Sequence, residues 1–110
     1  MYRGPVFDDF ERFVNEWLVS QDFDRIDWIF QSQSHFVTDK TGSISFDHTG
    51  RFEDLPATAE WISHIVSRDI ALTQTNRSST GHYRQFYTPK TRDLVAEIYK
   101  QDVEQLQYDF

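Results

Sequence analysis

Ten residues, Thr75-Asn76-Arg77-Ser78-Ser79-Thr80-Gly81-His82-Tyr83-Arg84, bring guanidinium groups, hydroxyls, an amide and a glycine into one stretch. That mixture suits a phosphate or sulfate. Arginine donates paired N–H groups to such oxyanions, and a glycine-containing turn exposes backbone N–H groups to them. The same composition also describes a polar connection ahead of a helix. Arg51, directly after Gly50, is a second candidate for an anion contact; its alternative is a structural pairing with Glu53 or Asp54. The charge distribution singles out the same region. Between Arg68 and Arg92 five basic residues (Arg68, Arg77, Arg84, Lys90 and Arg92) face one acid, Asp69, in a chain of net charge -7. A basic window in an acidic chain suits a local anion site better than a track for a polyanion.

Other chemistries find little support. The sequence has no GxxxxGK[ST], GxGxxG or GxSxG segment. Without cysteine it can offer neither disulfides, thiolate ligands nor a thiol nucleophile. His35, His48, His64 and His82 are scattered, with no pair at a helical ligand spacing. His35 and His48 could meet across a hairpin beside Asp39 and Asp47, but no further ligand completes a set, so no metal is expected. The adjacent acids Asp8-Asp9 and Glu53-Asp54 fall at helix starts, where capping explains them. The net negative charge argues against nucleic acid or an anionic membrane as partner. No apolar run reaches membrane-spanning length, and Met1-Tyr2-Arg3-Gly4-Pro5 lacks a leader's apolar core, so the expected location is the cytoplasm.

Several elements must position that loop. Phe7, Phe10, Phe13, Val14, Trp17 and Leu18 form an apolar stripe that predicts an amphipathic helix over Phe7–Leu18, capped by Asp8 with Glu11 three residues on. Ser20 to Arg25 reads as a polar loop. Thr38-Asp39-Lys40-Thr41-Gly42 supplies turn residues, and Ile44, Phe46 and His48 alternate with polar neighbours. Residues 35 to 49 are therefore expected to form a β-hairpin. Asp54-Leu55-Pro56 starts a helix whose stripe is Leu55, Ala59, Ile62, Ile65 and Val66. Ala71 to Tyr83 reads as a long loop. Thr88-Pro89 opens a last helix with Leu94, Val95, Ile98, Tyr99 and Leu106 on its buried face. The expectation is a single domain over residues 1–110 of the α+β class, mostly helical with one hairpin; 110 residues support one core.

The order of these pieces resembles a known family. Phe10-Glu11-Arg12-Phe13-Val14 is followed by Gln33-Ser34-His35-Phe36-Val37-Thr38-Asp39 and then by Gly50-Arg51-Phe52-Glu53-Asp54-Leu55. After these come Asn76-Arg77-Ser78, Tyr83-Arg84-Gln85-Phe86-Tyr87, and Tyr99-Lys100-Gln101-Asp102 through Tyr108-Asp109-Phe110. From about residue 7 to residue 110 this set resembles the C-terminal part of carbohydrate-type sulfotransferases, which use 3'-phosphoadenosine 5'-phosphosulfate (PAPS).

The resemblance implies the C-terminal portion of a P-loop-like α/β fold and sulfuryl transfer to a hydroxyl, that of a carbohydrate first among them. It implies PAPS or its product as ligand, with Asn76, Arg77 and Ser78 near the nucleotide, Tyr83 and Arg84 as further contacts, and Arg51 beside the site. The family's phosphate-binding strand and loop lie upstream of the matched region. Where many members carry a histidine before the glutamine matching Gln33, this chain has Ile29 and Phe30, and Ser32 stands in place of a proline. The resemblance thus implies a partial chain, inactive alone, that self-associates or meets a partner carrying the phosphate-binding half. The other reading is a non-catalytic interaction module on the same scaffold.

Overall fold

A computed structural model describes residues 2–73 and 81–109. They form two compact units, Met1–Ile44 with Thr80–Phe110 (unit 1) and Ser45–Ser79 (unit 2). The α-helices are α1 (Pro5–Asp8), α2 (Phe10–Arg12), α3 (Gln33–Val37), α4 (Leu55–Val66), α5 (Pro89–Ile98) and α6 (Lys100–Gln105), linked by short 3-10 turns.

The N-terminal stripe of unit 1 packs as its spacing predicts, but not as one helix. Asp9 is extended (φ -131°, ψ 121°) and separates α1 from α2. Its carboxylate accepts the Arg12 N–H at 2.9 Å, so Asp9 is the cap, not Asp8. The chain then widens into a π-helical turn over Phe13–Trp17 and tightens into a 3-10 turn over Leu18–Ser20. Val14 (0% exposed) and Leu18 (3%) point into the core. Around them the rings of Phe13 and Trp17 stack at 5.4 Å, Trp17 meets Phe30 at 4.9 Å, and Tyr2 meets Phe30 edge-on at 5.1 Å. Such offset and edge contacts suit the aromatic quadrupole.

The expected hairpin over residues 35 to 49 does not form. Among the described residues there is no strand, only an isolated antiparallel bridge between Thr38 and Ile44, so the class is mostly helical and not α+β. The reason lies far away in sequence. Residues 33–37 are drawn into α3 because the carboxylate of Asp102, on α6, accepts the N–H of Gln33 (2.8 Å), the N–H of Ser34 (2.7 Å) and the Ser34 hydroxyl (2.6 Å). Ser32 completes the cap by accepting the His35 N–H. Of the hairpin only the turn survives. Gly42 takes φ +81°, and the Asp39 carboxylate accepts from Thr41 N–H, Thr41 hydroxyl and Ser43 N–H. These three donors hold the Asp39 carboxyl below its ordinary pKa, the Thr41 hydroxyl most of all.

The last helix starts where Thr88-Pro89 predicts. Thr88 and Thr91 form a reciprocal capping box: the Thr88 hydroxyl accepts the Thr91 N–H at 3.1 Å, and the Thr91 hydroxyl accepts the Thr88 N–H at 2.9 Å. The helix breaks at Tyr99, whose hydroxyl donates to the Phe30 carbonyl at 2.8 Å. The break lets α6 turn and present Asp102 to α3. Leu94, Val95, Ile98, Tyr99 and Leu106 are all half-buried.

In unit 2, α4 is capped as expected, with the Asp54 carboxylate accepting the Ala57 N–H at 3.2 Å. It ends at Ser67, a left-handed residue at φ +53°. Gly50 lies so close to Thr58 that a Cβ there would meet the threonine hydroxyl. The predicted stripe is covered only at its start. Ala59 is buried, Leu55 and Ile62 are half-buried, and Ile65 (62%) and Val66 are exposed.

Candidate functional site

Two basic residues of unit 1, Arg84 and Arg92, meet at the start of α5. A short 3-10 turn over Tyr83–Phe86 presents Arg84, and the first turn of α5 presents Arg92. Together with Tyr87, Thr88 and Pro89 they line a cleft of about 250 Å3. That volume suits one phosphate or sulfonate group better than a whole nucleotide.

The two arginines are held differently. Arg92 lies against its neighbour Asp93, with Nε and a terminal nitrogen 3.2 and 3.0 Å from one carboxylate oxygen. Both side chains are about half exposed or more, so the pairing is weak. Arg84 donates instead to two neutral acceptors. Its Nε reaches the Tyr83 hydroxyl at 3.3 Å, and a terminal nitrogen reaches the Asp109 carbonyl at 3.1 Å. The guanidinium also lies 5.8 Å from the centre of the Tyr83 ring. The Tyr83 hydrogen bond is the main cause that holds its pKa above the ordinary value. A guanidinium has five N–H donors, so two tethers to uncharged oxygens orient it without neutralising it.

The supporting shell is aromatic. The His82 ring stacks on Tyr83 at 4.8 Å, and its Nδ1 accepts the Arg84 N–H, which starts the turn. Tyr87 packs edge-on against Phe10 at 4.8 Å and meets Tyr83 at 6.2 Å. Burial, and secondarily Tyr83, push the Tyr87 phenol above its ordinary pKa, so it remains a neutral wall at physiological pH.

Of the residues singled out from sequence, Arg84 lines this cleft, and Tyr83 lies behind it as the hydrogen-bond partner of its Nε. Asn76, Arg77 and Ser78 lie outside the described residues. Arg51 belongs to unit 2, where it precedes the 3-10 turn Phe52–Asp54 and its carbonyl accepts the Asp54 N–H at 3.1 Å. Arg92, Thr88 and Tyr87 were missed as site residues. The signal available was a Thr-Pro helix start lying between two arginines eight positions apart. Among the described residues no group of three or more His, Asp or Glu could hold a metal, and no helix is long and apolar enough to cross a membrane.

Unit 2 carries its own feature, an open groove of about 820 Å3 along the C-terminal half of α4, lined by Glu60, Trp61, His64 and Asp69 among others. The His48 ring stacks on Trp61 at 4.3 Å and 9°. Acids, a cation and aromatic rings mix on its walls, so no ligand charge is selected.

No protein-family model matches the chain, and no curated protein or solved structure matches it.

Proposed function

We propose that this chain is a sulfotransferase-like part whose Arg84–Arg92 cleft holds the phosphate or sulfonate end of PAPS or its product. The observation that carries the reading is the Arg84 guanidinium, oriented by the Tyr83 hydroxyl and the Asp109 carbonyl while keeping its charge. The order of motifs along the sequence supplies the family. In sulfuryl transfer the acceptor oxygen bonds to sulfur while the bond from sulfur to the leaving phosphate oxygen breaks. Negative charge then grows on the phosphate, and the hydroxyl proton must go to a base. Arg84 and Arg92 supply positive charge for the first need. Among the described residues, the cleft walls carry no imidazole or carboxylate for the second. The chain alone therefore binds without turnover, and a partner or further segment brings the base, the phosphate loop and the acceptor, a carbohydrate or other alcohol.

Unit 2 favours the second reading, a non-catalytic interaction module. Phe46, Phe52 and Ile65 are all more than 60% exposed there, a surface suited to covering by another chain.

Calorimetric titration with 3'-phosphoadenosine 5'-phosphate tests the cleft, with AMP and inorganic sulfate as controls. The expected result is saturable binding that Arg84→Ala weakens about tenfold, the loss of one charge-assisted contact. Absence of heat at millimolar ligand would remove the nucleotide reading and leave the module.

A further inference from the structure

The Arg84 tether comes from the segment after α6, to which the sequence assigns no contact with an anion. We propose that Gln107–Asp109 is a positioning strap for the anion site, setting the direction of Arg84 through a backbone carbonyl; this rests on the reading of the Arg84–Arg92 cleft as an anion site.

The strap is built in steps. Asp102 fixes α6 against α3 through its three hydrogen bonds to Gln33 and Ser34. α6 ends at Gln105 and Leu106 caps it, its N–H bonded to the Asp102 carbonyl at 2.9 Å. Gln107 then takes the left-handed conformation, φ +56°, and the Tyr108 N–H returns to the Val103 carbonyl at 3.1 Å. A left-handed residue followed by a bond reaching five residues back is a Schellman ending, which reverses the chain. Asp109 follows at once, and its carbonyl accepts from Arg84, 25 residues earlier in sequence. With Nε directed to Tyr83 and one terminal N–H to Asp109, three N–H donors remain for an incoming oxyanion.

Asp109 acts in two opposite ways. Its carbonyl orients Arg84, whereas its carboxylate is a nearby negative charge that also favours the guanidinium cation. The carboxylate competes with a bound anion; the carbonyl does not. Removing the strap and neutralising its side chain should therefore move anion affinity in opposite directions.

The test titrates five proteins with 3'-phosphoadenosine 5'-phosphate: the unmodified chain, a chain ending at Gln107, Asp109→Asn, Arg84→Ala, and the truncation combined with Arg84→Ala. Circular dichroism and thermal melting confirm folding. The truncation should weaken binding about tenfold, as loss of a pre-oriented charged donor does. Asp109→Asn should tighten it about twofold, the scale of one exposed like charge removed. In the Arg84→Ala background the truncation should change nothing further, because its effect passes through that guanidinium. Failure of the unmodified chain to bind removes the cleft reading itself. Binding by the unmodified chain with unaltered affinity after truncation overturns the strap, as does an equal loss in both backgrounds or a weakening by Asp109→Asn. Should the truncation not fold, Gln107→Val keeps the question open to measurement. A β-branched residue resists positive φ, so it should weaken binding while Gln107→Gly does not.

Discussion

Unit 1 and unit 2 both contain helices started by a side-chain cap, yet they are held by different means. In unit 1 the caps are tied across the sequence: Asp102 binds α3, Tyr99 binds the Phe30 carbonyl, and Gln105 binds the Gly42 carbonyl at 2.8 Å. Val14 and Leu18 are buried, and Tyr2, Phe7, Phe13, Trp17 and Phe30 join in one cluster of contacting rings. In unit 2 the signals that form α4 are local, an Asp54 cap and a left-handed stop at Ser67, and Ala59 is the buried apolar residue. Local signals set where a helix begins and ends, but a 12-residue helix is marginal in water without burial of one face. The difference also separates the candidate sites. Arg84 is aimed by a chain of long-range bonds, while the α4 groove is built from one helix, the residues just after it and the stacked His48 ring.

The largest expected effect is at Asp102. Asp102→Ala leaves the buried Ser34 N–H without its acceptor, removes that of the part-buried Gln33 N–H and takes the stronger partner from the Ser34 hydroxyl, and should cost about 4 kcal/mol in chemical denaturation. Loss of anion binding should accompany it, because the strap hangs from α6. Leu18→Ala should cost about 3 kcal/mol, whereas Ile65→Ala on α4 should stay within about 0.5 kcal/mol. Equal costs at Leu18 and Ile65 would erase the distinction between the units. Thr88→Ala removes one half of the α5 capping box and should cost about 1 kcal/mol.

The smallest effect concerns pH. The folded-state pKa of Asp39 lies below its unfolded value, so the turn over Asp39–Ser43 is fully supported above the ordinary carboxylate pKa. That support disappears as pH falls through the lowered folded value. Exchange protection of the Thr41 and Ser43 amides should fade there, and Asp39→Asn should abolish the dependence.

Sequence made the local devices legible and the distant ones not. Asp54, Thr88-Pro89 and Gly42 act as their residue types predict, since each acts within four residues. The hairpin does not form because the alternation of Ile44, Phe46 and His48 needs a partner strand, while residues 35–37 belong to α3, whose start at Ser34 is bound to Asp102, 68 positions on. The break at Asp9 was hidden by an unbroken apolar stripe on either side. At the site, Arg84 stands out through a basic window in an acidic chain, and Tyr83 as its neighbour in the polar stretch 75–84. Arg92, Tyr87 and the Asp109 carbonyl join them only through folding, and a carbonyl has no residue type to read.

The central claim, that unit 1 carries the working anion site, is tested most directly by nitrogen-15 chemical-shift mapping with 3'-phosphoadenosine 5'-phosphate. Saturable shifts should gather at Arg84, Tyr87, Thr88, Arg92 and Gln107–Asp109, leaving Trp61 and His64 of α4 unmoved. Shifts centred on Trp61 and His64, or none at millimolar ligand, would contradict it.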